Sequence, residues 1–416
     1  MGHIAGSKND LAPLIDRLNK YPIGLVDNSK LREILSFLFD EKEAYVASRF
    51  PLEETTLPEL GRLTGVSQQE LYPILESMAD KGLVMDLPYA GTTYYLLMPG
   101  FIGFMEFTFM KNRSDLPMEK LARLMSEYLS DASQNGEANE FFGGKTQLTR
   151  SLVYDDAVPV TSEITSYDNA REIIKNSGFG AVAYCYCRHK KEHLGRKCKR
   201  GAPIDGMCIS LGTGAKFLAR RGFAKEKSVE ELLAILKRAR SLNLTHITDN
   251  VREKPSFICN CCRCCCELMH GVHMGYYDGI AKTGFMAAID PALCDYCGAC
   301  MAVCNAKAIG PAKAIGPAKV IGAAKVIGAA RDINFDTLSD RIAQVRRSVC
   351  LGCGACVSVC NKKAIKMVPR KRRIVPPRKK IGLFMRIAWE KGKLAPFITS
   401  RAKRRLREFF SWKAWD

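Results

Sequence analysis

Apolar residues along this chain recur mostly at helical spacing, interrupted by short β-type runs. Residues 1–29 read as an N-terminal helix and linker. LREILSFLFD and EKEAYVASRF then place apolar positions at intervals of three and four, as an amphipathic helix requires. TTLPELGRLTG and SQQELYPILESMADKGLV predict two further helices joined by a glycine-containing turn. Ser67 is a suitable N-cap, with Glu70 three residues on as its capping-box partner. MDLPYAGTTYYLLM reads as a hairpin. Residues 111–180 predict a mostly helical connection, with DLPMEKLARLMSEYLSD amphipathic and SYDNAREIIKNSG a short helix stopped by glycine. AVAYCYC is a β-type run. As a strand it would place Cys185 and Cys187 on one face. GAKFLARRG and SVEELLAILKRARSLNL predict two more helices, the second opened by a Ser228/Glu231 capping box.

The helices and hairpin of residues 30–110 resemble a winged-helix domain. That resemblance implies DNA binding, but the charge argues otherwise. The candidate recognition helix, 67–80, has no Lys or Arg and carries Glu70, Glu76 and Asp80. Affinity for DNA comes largely from cations set against phosphates. A docking or scaffold role is the better expectation, and DNA is not the expected partner. The chain as a whole has a net charge of +20, unevenly placed. Residues 1–110 sum to −6 and residues 362–416 to +16, so head and tail should not share a partner surface.

Hydrophobic residues make up 47% of the 416, enough to bury real cores. The longest apolar stretch, YYLLMPGFIGFMEFTFM at 94–110, is short for a bilayer span and carries Pro99, two glycines and Glu106. The N-terminus lacks a basic region followed by an apolar run, so no secretory signal is expected. The expected location is cytoplasmic, where thiols stay reduced. Eighteen cysteines in such a compartment point to metal or redox chemistry rather than disulfides.

Eight of those cysteines fall in two identical spacings. LCDYCGACMAVCN holds Cys294, Cys297, Cys300 and Cys304; VCLGCGACVSVCN holds Cys350, Cys353, Cys356 and Cys360. Each is C-x2-C-x2-C-x3-C, the bacterial-type [4Fe–4S] ligand run. Zinc knuckles want ligands in pairs and fit this three-plus-one spacing poorly. Residues 285–368 resemble a two-cluster ferredoxin domain. The resemblance implies one [4Fe–4S] cluster on Cys294, Cys297, Cys300 and Cys360, and a second on Cys350, Cys353, Cys356 and Cys304. Asn305 and Asn361 stand where that family has proline. From 306 to 329 the loop runs AKAIGP AKAIGP AKVIGA AKVIGA, a local duplication of the strand after a cluster. A surface insertion is the favoured reading over a basic docking edge.

The other ten cysteines lie upstream, in a Cys-rich region spanning 181–284. Cys185, Cys187, Cys198 and Cys208 come from AYCYCRHKKEHLGRKCKRGAPIDGMC; Cys259, Cys261, Cys262, Cys264, Cys265 and Cys266 come from FICNCCRCCCELMHG. Neighbouring side chains of an extended segment point apart, so six in a row cannot all hold one cube. One or two further iron–sulfur clusters, one cluster with redox-active thiols, or structural zinc are the open alternatives. Arg188, Lys190, Lys191, Arg196, Lys197, Lys199, Arg200 and Arg263 would offset the charge of thiolates. HKKEH matches an inverted zinc-peptidase pattern at His189–His193, but neighbouring thiols would take the metal, so a basic shell beside a metal centre is preferred. No nucleotide, nicotinamide or haem motif is present.

Taken whole, residues 30–365 resemble an uncharacterised group of anaerobe iron–sulfur proteins with a winged-helix-like head, a CYC/CNCCxCCC region and a two-cluster ferredoxin domain. The fold class expected is α+β multidomain. The function expected is electron relay through [4Fe–4S] clusters to a partner oxidoreductase. Two alternatives remain: a cluster-based redox-sensing regulator, and a reductase with a catalytic upstream cysteine site. The tail, 369–416, carries all three tryptophans among basic residues. It predicts docking, through 370–416, on an anionic membrane surface or an acidic protein.

Overall fold

The computed structural model describes residues 10–158, 164–311 and 343–395. The architecture is α+β, with several small sheets rather than one large one. The chain divides into two compact units, Met1–Leu129 with Phe384–Asp416, and Ser130–Leu383. The expected connection of 111–180 is therefore divided between them. Its first helix, Met118–Leu129, packs on Ser29–Leu38 in the first unit, and the remainder starts the second.

In the first unit, helices Ser29–Leu38, Glu41–Ser48, Leu57–Thr64 and Gln68–Lys81 precede an antiparallel hairpin, Val84–Tyr89 and Thr92–Leu97. Thr55–Thr56 adds a short third strand. The two middle helices open with full capping boxes, Asp40/Glu43 and Thr56/Glu59. Ser67 does cap Gln68–Lys81, accepting from the Glu70 amide, but the Glu70 carboxylate bonds the Ser67 hydroxyl at 2.7 Å instead of the backbone. Glu43 is 1% exposed and ties two helices together. It accepts from Lys81 Nζ at 2.7 Å and from Ser77 Oγ at 2.8 Å. Among the described residues, no helix is long and apolar enough to cross a membrane.

The second unit is built on a six-stranded antiparallel sheet. Its order is Thr149–Ser151, Thr245–Asp249, Phe257–Cys261, Cys208–Leu211, Gly180–Ala183 and Ala224–Glu226. Helices Ala170–Lys175 and Val229–Ser241 bury Ile173, Ile174, Leu232 and Leu236 with Val182, Ile209 and Ile258 of the sheet. The strand expected through AVAYCYC stops at Ala183. The Cys185 amide leaves the ladder and donates to Ile204 O at 2.8 Å, while the Cys185 carbonyl receives the His189 amide. Cys185 is thus the N-cap of helix Tyr186–His193, and the two cysteines do not share a strand face.

Two small antiparallel pairs complete this unit. Phe285–Ile289 pairs with Ile365–Pro369, and Ile309–Pro311 pairs with Ala343–Val345. The first AKAIGP copy thus ends in a strand; the hexapeptides from 312 onward lie outside the described residues. Pro377 O and Arg378 O accept from the Arg252 and Glu253 amides at 3.0 and 2.9 Å. The tail then forms a helix, Lys380–Glu390, with Leu383, Ile387 and Ala388 buried and Trp389 73% exposed. Trp412 and Trp415 lie outside the described residues.

Candidate metal centres

The second unit gathers all eighteen cysteines, each as a free thiol. The opened strand Phe257–Cys261 and the turn after it divide the crowded stretch between two places. Cys262, Cys264 and Cys265 meet Cys198. Their four Sγ atoms all lie within 4.8 Å of one another. Cys198 stands 3.6 Å from Cys262 and 3.8 Å from Cys264; Cys264 is 3.5 Å from Cys262 and 3.7 Å from Cys265. Cys262 and Cys265 are buried with Ala202, Met207, Ala239 and Leu244 around them.

The other six thiols form a second group, each influencing the next: Cys185 with Cys187, Cys187 with Cys266, Cys266 with Cys261, Cys261 with Cys259, and Cys259 with Cys208. The alternation of the strand explains the selection. Cys259 and Cys261 share one face, while Asn260 between them turns away to donate to Met207 O at 2.8 Å and to meet His246 Nδ1 at 2.6 Å. Cys266 is the N-cap of helix Glu267–His273, and the Glu267 amide donates to Cys187 Sγ at 3.5 Å.

Crowding sets the protonation of both groups. The bonds from Cys187 and Cys261 outweigh burial at Cys266, whose pKa is lowered to about 5. At Cys264, the Cys198 contact raises the pKa, but Cys262 and Cys265 outweigh it and lower the value to about 6. Arg188 lies between the groups. Burial opposes its charge, yet the thiols of Cys185, Cys262 and Cys198 hold its pKa above the ordinary guanidinium value. Its Nη2 donates to Asn260 O at 2.7 Å. Basic side chains gather at this end of the helix beside the thiols. Arg188, His189 and Lys190 are all buried, and Lys190 pairs with buried Glu267 at 3.0 Å. Glu192 of the HKKEH sequence is exposed, and His189 and His193 face each other at 3.2 Å.

Of the remaining eight, Cys304, Cys350, Cys353 and Cys356 line one small cavity with Ala287, Ala306, Ile309, Leu351 and Met367. The fourth cysteine of the first run thus joins the first three of the second. Cys304 ends the helical turn Ala299–Val303 and accepts from the Ala308 amide at 3.1 Å. Burial, then Cys353, pushes its pKa up to about 12; burial also raises Cys353 and Cys356. Gly352 and Gly354 have φ of +75° and +88°. A Cβ at Gly352 would lie 2.1 Å from Thr283 Oγ1, and one at Gly354 would lie 2.7 Å from the Ala157 Cβ, so this loop tolerates only glycine. Cys300 faces Cys294 and Cys297 electrostatically, with Cys297 exposed and Cys294 half-buried. Cys360 packs on the same apolar core as Cys300 and Cys304.

One residue joins the two regions. Asn305 is 1% exposed and donates through Nδ2 to Asn243 O at 2.7 Å and to Thr245 Oγ1 at 3.0 Å. Its Oδ1 accepts from the Arg263 amide at 3.2 Å. The Thr245 side chain also acts on Cys353, opposing the rise that burial gives its pKa. The only sequence signal for this role was asparagine in place of proline; Thr245, Asn243 and His246 carried none. Comparison with family models, curated proteins and solved structures finds no match for this chain.

Proposed function

We propose that the chain is an iron–sulfur electron-transfer protein that relays electrons to a partner oxidoreductase. The observation that carries this reading is the cavity enclosed by Cys304, Cys350, Cys353 and Cys356. Four thiols from two runs converge on one apolar pocket, the donor set that a [4Fe–4S] cluster takes. Cys294, Cys297, Cys300 and Cys360 are the matching set for a second cluster. In this reading the paired strands of 285–369 form a two-cluster ferredoxin-like domain, and the first unit is a winged-helix-like docking module. Bound clusters would supply one-electron chemistry at low potential.

The protein's own residues do the rest. Ala287, Ile309, Leu351 and Met367 keep water from one thiol set. Exposed Cys297, beside half-exposed Leu293, opens the other set to a partner's surface. Ala308 donates its amide to a ligand sulfur. The same apolar core runs from the ferredoxin-like thiols to Cys187, Cys261 and Cys266 of the upstream six. That continuity favours a relay extending upstream over an isolated pair of clusters.

Anaerobic iron and sulfide analysis with EPR tests the reading. About eight irons would confine clusters to the ferredoxin-like thiols, and about twelve would add one on the upstream six thiols. Zinc throughout, with no acid-labile sulfide, would overturn it.

A further inference from the structure

The ten upstream thiols divide four and six, and the two groups differ in spacing. The four Sγ atoms of Cys198, Cys262, Cys264 and Cys265 are separated by 3.5 to 3.8 Å along the four measured edges. A disulfide would bring a pair to about 2.05 Å, so none is formed. A single ion holding four thiolates at about 2.3 Å sets the edge of its tetrahedron at about 3.8 Å. A cube carries its thiolates outward on four separate irons and spreads them farther apart. Cys304, Cys350, Cys353 and Cys356 line a shared cavity but do not draw together as closely as the upstream four.

We infer that Cys198, Cys262, Cys264 and Cys265 form a closed tetrahedral site for one zinc ion, separate from any iron–sulfur cluster. Four thiolates complete the coordination shell and leave no open position, the form of a structural rather than a catalytic zinc site. Two of the four are buried, and the apolar wall of Met207, Ala239 and Leu244 limits water. Arg188 offsets the excess negative charge from one side.

The position of the site indicates what the ion holds. Arg200, two residues after Cys198, donates through Nη2 to Ala302 O at 2.6 Å. Arg263, between Cys262 and Cys264, donates its amide to Asn305 Oδ1. Ala302 and Asn305 flank Cys304. The ion would therefore clamp together the two segments that grip the Cys304 turn. It acts as a staple under the ferredoxin-like half and takes no part in electron transfer.

The test uses the full chain, purified anaerobically with both zinc and iron supplied. One zinc per chain is expected, and zinc K-edge absorption should show four sulfur neighbours at about 2.3 Å with no iron beyond them. The double variant Cys264→Ser/Cys265→Ser should lose the zinc and keep the acid-labile sulfide. If that variant does not fold, the absorption spectrum of the unaltered chain still decides. Nitrogen or oxygen neighbours at zinc, a mononuclear iron–thiolate spectrum in place of zinc, or loss of sulfide in the double variant with zinc unchanged would each overturn the site. Failure of the relay reading would appear separately, as missing iron and sulfide with zinc retained.

Discussion

The side-chain carbonyl of Asn305 accepts the Arg263 amide at 3.2 Å, so the turn carrying Cys304 is bonded directly to the centre of the six-cysteine stretch. Asn361, at the equivalent point of the second run, is exposed. One asparagine docks the turn that carries Cys304 on the six-stranded sheet, and the other is turned to solvent.

That asymmetry can be measured. Asn305→Ala strands the Arg263 amide and the Asn243 carbonyl without partners. Both groups are only part-buried, so water can recover some of the lost bonding, and we expect a loss of about 1–2 kcal/mol. Asn361→Ala should stay within about 0.5 kcal/mol. Urea unfolding of the metal-loaded protein, followed anaerobically by tryptophan-independent circular dichroism, compares the two. Equal effects would remove the docking role.

The cavity assigns Cys304 to the second run rather than to its own. Cys304→Ser and Cys350→Ser should therefore damage the same cluster and leave the same remaining EPR signal, whereas Cys297→Ser should leave the other. A Cys304→Ser spectrum that matches Cys297→Ser would contradict the crossed ligand set.

In the first unit, Lys81 neutralises Glu43, which is 1% exposed. Lys81→Met leaves that carboxylate buried with only neutral donors, Ser77 and the Asp40 amide. Breaking a buried pair from one side costs about 3–5 kcal/mol, and the two surviving donors place this case at about 3. Thermal unfolding of the variant should show the loss. Glu43→Gln should cost less, since Lys81 can turn to solvent.

His246 is fully buried, and burial, then Arg240, lowers its pKa to about 4 against the bond from Asn260. Between about pH 6.5 and 4 the unfolded chain binds a proton that the folded one refuses. The stability due to neutral His246 is thus complete above about pH 6.5 and lost as pH falls toward 4, by about 3 kcal/mol in all. His246→Gln should flatten the unfolding midpoint across this window relative to the unaltered chain. An unchanged slope would show that the imidazole does not titrate there.

Much of the local structure was legible from residue order. The Ser228/Glu231 capping box opens its helix as expected. The hairpin of 84–97 and the amphipathic helix of 118–129 follow their patterns. AVAYCYC was misleading because β-branched and aromatic content describes a preference, while the Cys185 amide found its partner in Ile204, distant in sequence.

Sequence by itself determined the inventory and the spacing: eighteen thiols, two identical four-cysteine runs, and a strand alternation that separates neighbours. Those properties are local, set by bond geometry over a few residues. Tertiary structure alone decided the membership of each centre. Cys261 and Cys262 are adjacent, yet one neighbours Cys259 and Cys266 and the other meets Cys198, because successive side chains leave the strand end in opposite directions. Which distant loop awaits each of them depends on how the sheet closes and where the turn carrying Asn305 docks. No periodicity in the chain encodes contacts that far apart.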